Sequence, residues 1–127
     1  MIILDSCIWI AFFHRDDSCH KKAFQIINGK NSKNIIINDH IYAEILNVLR
    51  NKTSEKECAD FITTLNECKI EIERTEKEII TLANFIFFHN PKLSFTDSII
   101  IAQAATRNAD FVTFDQNLQK AWKRLKK

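Results

Sequence analysis

Apolar residues recur along this chain at two spacings. Four short runs, at 1–4 (MIIL), 34–38 (NIIIN), 69–74 (KIEIER) and 110–114 (DFVTF), are rich in isoleucine, valine and phenylalanine. They are too short for helices and carry β-branched side chains, so they predict strands. The first two and the last lack strict polar alternation, the pattern of strands covered on both faces. KIEIER alternates apolar with charged residues and is expected at a sheet edge. Between these runs, apolar positions three and four apart predict helices over 7–14, 18–28, 39–51, 54–67, 75–89, 95–107 and 116–125. Gly29 and Pro91, the single glycine and proline, fall between elements as a helix C-cap and a helix break. Such alternation predicts an α/β domain with a largely parallel sheet and right-handed crossovers.

In an open sheet of this kind, ligands bind beyond the carboxyl ends of the strands. Asp5 follows the first run and Asp115 the last. Asp110 stands at the opposite end of the last run, roughly 17 Å from Asp115 at ~3.3 Å per residue. The second run ends in Asn38-Asp39 and passes directly into the helix DHIYAEILNVLRN. There Ile41, Ile45, Val48 and Leu49 form an apolar stripe, and Glu44 falls on its flank. The helix at 95–107 is apolar almost without a break from Ile99 to Ala105, yet Asp97 sits one turn before that run.

Each of these acids has a local structural explanation. Ser94 and Thr96 are good N-caps, and an aspartate in a first helical turn is favoured by the helix dipole. A boundary glutamate with its stem packed and its head in water is ordinary. Four carboxylates at one rim, however, repel and raise one another's pKa values. A divalent cation removes that conflict, and all-oxygen ligands suit Mg²⁺ or Mn²⁺ better than zinc. Such an ion neutralises a phosphodiester and lowers the pKa of an attacking water.

With 127 residues, of which 46% are hydrophobic, the chain is expected to form one domain over 1–127 with a real core. Its longest apolar runs fall far short of the ~20 residues that a membrane span needs. The start MIILD has no basic segment and reaches an acid at residue 5, so a signal peptide is not expected and a cytoplasmic location is. Cys7, Cys19, Cys58 and Cys68 include no C-x-x-C pair and predict free thiols. Cys19-His20 is only a weak zinc signal, and His14, His20, His40 and His89 are scattered. The net charge of +2 says little about partners, but the tail KAWKRLKK concentrates positive charge. It reads as a solvated helix end favoured by the dipole, or as a phosphate-binding strip through Lys120, Lys123 and Arg124.

Three segments, MIILDSCIWIAFF, NDHIYAEILNVL and LSFTDSIIIAQAATRNADFVTFD, stand in the order and spacing of a known family. The chain resembles PIN-domain proteins, and among them the small VapC-type toxins of prokaryotes. The resemblance implies a three-layer α/β/α fold around a mostly parallel sheet of four strands, or five if the tail adds one. It implies Asp5, Glu44, Asp97 and Asp115 as catalytic and metal-binding residues, with Ser6 and Thr113 as supporting polar groups. It further implies an Mg²⁺- or Mn²⁺-dependent endoribonuclease acting on RNA, a cognate antitoxin protein, a homodimer and no membrane association. The family commonly adds a short strand after the fourth acid, where this chain has a basic, helix-like tail.

A housekeeping RNA-processing nuclease with the same site is a second reading, and a non-catalytic RNA- or protein-binding scaffold a third. A phosphotransfer domain of the haloacid dehalogenase type is disfavoured, because it needs a second acid where Cys7 stands. A response-regulator receiver needs an acidic pair after strand 1 and a central phospho-acceptor aspartate, and neither is visible.

Overall fold

The computed structural model describes residues 1–30 and 32–126; Lys127, the last residue of the basic tail, lies outside them. Strands β1 (Ile2–Leu4), β2 (Ile35–Asn38), β3 (Ile72–Glu73) and β4 (Asp110–Val112) form one parallel sheet in the order β3-β2-β1-β4. Helices α1 (Ser6–Phe13) and α2 (His20–Asn28) link β1 to β2. Next come α3 (Asp39–Lys52) and α4 (Glu55–Glu67), then α5 (Lys77–His89) and α6 (Phe95–Thr106), and α7 (Gln116–Lys126) follows β4. Helices α1 to α4 pack as one group and α5 to α7 as another, giving the α/β/α layering. Among the described residues no fifth strand follows the sheet, because the tail is helical. No helix among them is long and apolar enough to cross a membrane.

The central strands are buried throughout, as their unbroken apolar sequence requires. β3 lies at an edge, as its alternation predicts. β4, expected to be covered on both faces, is instead the other edge: Asp110 is exposed and Phe111 and Val112 are half-buried. Every residue of α6 from Ser98 to Ala104 is buried, so this helix is enclosed by the layers around it.

Two helix ends set where the edge strands begin. After α4, Lys69 takes a left-handed conformation (φ 56°) and the Ile70 N–H donates to the Leu65 carbonyl at 3.0 Å. After α6, Asn108 does the same (φ 51°), with the Ala109 N–H on the Ala104 carbonyl at 2.9 Å. These closures satisfy orphan carbonyls and turn the chain into the sheet. The first also consumes residues expected in β3, which shrinks from 69–74 to two residues. Gly29 caps α2 as expected, but with right-handed backbone, so its left-handed freedom is not used.

Candidate active site

Parallel register lines up the carboxyl ends of the strands. Asn38 pairs with Glu73, Ile3 with Ile36, and Leu4 with Val112. One residue further on, the row across the rim reads Glu73, Asn38, Asp5 and Thr113. Apolar sequence thus gives way to polar side chains along a single line.

Asp5 stands in this row and is only 6% exposed. It caps α1, its Oδ1 accepting from the Ser6 N–H at 2.8 Å. Its Oδ2 accepts from the Thr113 hydroxyl at 2.7 Å and from the Cys7 thiol at 3.4 Å. Burial pushes the Asp5 carboxyl above its ordinary range; the Thr113 and Cys7 bonds pull it back, and the charge of Asp97 raises it further. Burial and the neighbouring Asp5 push the Cys7 thiol up to about 12, so it stays protonated and donates.

Asp97 lies in the first turn of α6, within a reciprocal capping box. The Ser94 hydroxyl accepts from the Asp97 N–H at 3.0 Å, and the Asp97 Oδ2 accepts from the Ser94 N–H at 3.2 Å. Its carboxyl is raised by burial and by the charge of Asp115, outweighing the capping bonds. Asp115 lies beyond the end of β4, because that strand stops at Val112 rather than at 114. It is exposed and caps α7, its Oδ1 accepting from Asn117 and Leu118 N–H groups at 2.8 and 3.1 Å. The Asp115 N–H donates to the Thr113 hydroxyl at 3.0 Å, so Thr113 holds Asp5 and Asp115 at once.

Asp5, Asp97 and Asp115 therefore lie within electrostatic reach of one another in a chain, with Asp97 in the middle. Glu44 is half-buried on the flank of the α3 stripe and makes no hydrogen bond or ion pair among the described residues. Among those residues, no three metal-ligating side chains close on a common point. The capping bonds account for this: Asp97 is folded back onto Ser94 and Asp115 onto α7. The donor set is nevertheless chemically suited to a hard divalent cation, being all oxygen and without a basic partner among the described residues.

Two features escaped sequence reasoning. Asn38, 1% exposed, caps α3 through Ile41 N–H and donates to Gln103 Oε1 at 2.5 Å. Gln103, also 1% exposed, donates to Glu73 at 2.9 Å, and Glu73 meets Arg107 at 3.1 Å. This relay ties the helix bearing Glu44 to the helix bearing Asp97. The second feature is a cleft of about 340 Å³ between the turn after α5 and helix α7, lined in part by His89, Lys92, Lys120 and Arg124. Lys123, expected to act with Lys120 and Arg124, does not line it.

The PIN domain family model matches residues 2–123. The chain belongs to the PIN-domain family. No curated protein matches it in sequence. Among solved structures it is similar to the Mycobacterium tuberculosis toxin VapC20, a sarcin-ricin loop cleaving toxin, with a TM-score of 0.84 at 16% identity over 95% of each chain. A toxin–antitoxin complex from Klebsiella pneumoniae gives 0.70 at 18% identity, covering 91% of this chain and 87% of the other. VapBC2 from Rickettsia felis, bound to a promoter DNA fragment, gives 0.69 at 17% identity over 94% and 92%. These likenesses establish the PIN fold.

Proposed function

We propose that this PIN domain is a divalent-metal-dependent endoribonuclease, the toxin of a toxin–antitoxin pair. The observation that carries the reading is the state of Asp5 and Asp97. Two carboxylates are held at the sheet's carboxyl rim, both raised by burial and by a neighbouring negative charge, with no basic partner among the described residues. Such a pair is costly in isolation and is relieved by a cation.

Asp5, Asp97 and Asp115 are the residues to hold Mg²⁺ or Mn²⁺, with Glu44 on α3 as the fourth acid. A bound ion of this kind neutralises a phosphodiester and makes a bound water more acidic. The Ser6 N–H and the Thr113 hydroxyl orient Asp5 from its two oxygens; with the Cys7 thiol also on Oδ2, the second lone pair of Oδ1 is left for a ligand. Thr113 also fixes the backbone of Asp115.

The likeness to toxin–antitoxin complexes supports an antitoxin protein as partner. Phe24, Phe85 and Phe88 leave apolar surface in water, compatible with a partner chain or a homodimer. Cys7, Cys19, Cys58 and Cys68 are all free, in keeping with a cytoplasmic location. That no three metal-ligating side chains converge among the described residues favours the scaffold as the second reading. The deciding experiment incubates purified protein with RNA in Mg²⁺, Mn²⁺ or chelator, beside Asp97→Asn. Cleavage only with metal, lost in the variant, supports the nuclease; equal cleavage in chelator refutes it. Growth arrest relieved by an adjacent reading frame then separates a toxin from a housekeeping enzyme.

A further inference from the structure

We infer that the cleft between the turn after α5 and helix α7 binds a backbone phosphate of single-stranded RNA, beside the phosphodiester at the acid site. This deepens the proposed function, on which it rests, by naming how the substrate strand is held. The cleft is lined by His89, Lys92, Lys120 and Arg124 together with neutral residues, and no aspartate or glutamate among the described residues lines it. Its volume of about 340 Å³ accommodates a phosphate with part of its sugar.

The cations are gathered without their counter-charges. Arg107 is paired with Glu73, and Lys126 approaches Asp110 at 3.8 Å. Lys92 and Lys120 have no ion pair among the described residues, and Arg124 is braced by the neutral Asn90 Oδ1 at 2.8 Å. That single bond fixes the guanidinium while leaving most of its N–H groups for an anion. Clustered positive charges repel, and a phosphate in the cleft offsets that repulsion by attracting each of them.

The cleft also borders the acids directly. Asn117, in its wall, donates its backbone N–H to Asp115, and Leu93 precedes the Ser94 that caps Asp97. Along α7, Lys120 and Arg124 stand roughly 7 and 13 Å beyond Asp115 at ~1.5 Å per residue. A strand whose phosphate lies at the acid site therefore reaches the cleft with the next part of its backbone. At the rim, the His89 ring stacks on exposed Phe85 with centroids 4.1 Å apart. A basic groove flanked by an exposed aromatic platform suits single strands, whose unpaired bases stack while the groove follows the phosphates.

The test is binding, in chelator, of a fluorescent single-stranded oligoribonucleotide, followed by anisotropy across KCl concentrations. Lys92→Gln/Lys120→Gln is expected to weaken binding and to lower the log–log salt slope by ~1.4, at ~0.7 per cation on a single strand. A scan of single methylphosphonate linkages, each removing one phosphate charge, is then run on both proteins. Wild type is expected to lose affinity at one position and the double variant to be indifferent there. Lys123→Gln, outside the cleft, should keep the wild-type scan, and melting curves verify that each variant is folded. No binding by wild type, an unchanged slope in the double variant, or a scan with no sensitive position overturns the inference. Binding with this pattern but no cleavage in metal refutes the nuclease and leaves the cleft. Cleavage with an unchanged slope does the reverse.

Discussion

Thr113→Val tests whether the rim is organised as described. The substitution is nearly isosteric and deletes one hydroxyl, which donates to the buried Oδ2 of Asp5 and accepts from the Asp115 N–H. A hydrogen bond to a charged group contributes about 1.5–3 kcal/mol, and a neutral one about 1. Asp115 is exposed, so water replaces much of the second bond, and the first dominates. A loss of about 2–3 kcal/mol is therefore expected at neutral pH. At ~2.1 cal/mol/K per residue of unfolding entropy, this corresponds to a melting temperature lower by roughly 10 °C.

The pH dependence identifies the source. Asp5 already has a folded-state pKa above the ordinary 3.8, through burial and then Asp97, and removing Thr113 raises it further. Folded protein thus holds the Asp5 proton to higher pH than unfolded chain does, so stability falls as pH rises from 3.8 through the raised value. The variant should fall more steeply in that window. Below 3.8, where Asp5 is protonated in both states, its deficit should shrink to that of a neutral bond. Melting in chelator across pH 3–8 measures this, with Thr113→Ser as the control that keeps the hydroxyl. A deficit below about 0.5 kcal/mol, or one unchanged with pH, would refute the role of Thr113, because such a small value is typical of an inert surface substitution.

Asp5→Asn and Asp97→Asn should each abolish metal-dependent cleavage in an RNA gel assay, whereas Asp110→Asn, in register with Ile2 at the opposite end of the sheet, should keep it. In chelator at neutral pH, Asp97→Asn should melt higher than wild type, because it removes a charge raised by burial and by Asp115 while its amide oxygen can still accept from Ser94. A lost dipole interaction of ~0.3–1 kcal/mol offsets part of the gain, which should vanish below pH 3.8. Wild type should gain ~2.7 kcal/mol from Mn²⁺ at a hundredfold excess over Kd, and Asp97→Asn less; equal calorimetric shifts would mean that Asp97 is no ligand. Gln103→Met leaves buried Asn38 without its acceptor and should cost about 1–3 kcal/mol in urea unfolding, with a value near zero speaking against the relay.

How much of this was legible depends on whether the determinant is local. The isoleucine runs announce β1 and β2 because buried parallel strands need apolar side chains on both faces, and all seven helices lie within a few residues of their expected bounds. Asp5, Asp97 and Asp115 could be placed at one rim because parallel connectivity puts every strand's carboxyl end on the same side. DFVTF misled because an edge strand beside packed helices can be nearly as apolar as a central one. The closures at Lys69 and Asn108 went unread, since neither residue is the glycine that usually marks a left-handed cap. Gln103 did leave a trace: it is the one side-chain amide in the buried run SIIIAQA, and such a group requires a partner. That the partner is Asn38, 65 positions away, is a tertiary fact. His89 and Lys92 meet Lys120 and Arg124 only because the turn after α5 faces α7, which no local pattern reports.

The distribution of charge at this end of the molecule is itself informative. Glu73, at one end of the rim row, is neutralised by Arg107 and bonded by Gln103. Toward β1 and β4 that neutralisation stops: Asp5, Asp97 and Asp115 have no basic partner among the described residues. Next to them stand Lys92, Lys120 and Arg124, with no aspartate or glutamate among the described residues in their cleft. Long lysine side chains reach neighbouring carboxylates readily, and near a surface a pair at 4 Å gains up to about 4 kcal/mol of Coulomb energy before desolvation and entropy are subtracted. The two sets nevertheless remain apart. Capping geometry accounts for it on the acid side, with Asp97 folded onto Ser94 and Asp115 onto the first turn of α7, and the Asn90–Arg124 bond braces the basic side. A fold that keeps adjacent opposite charges from cancelling leaves each set to be satisfied from outside, the acids by a cation and the cleft by a phosphate. One extended ligand meets both demands: an RNA strand with its metal ion.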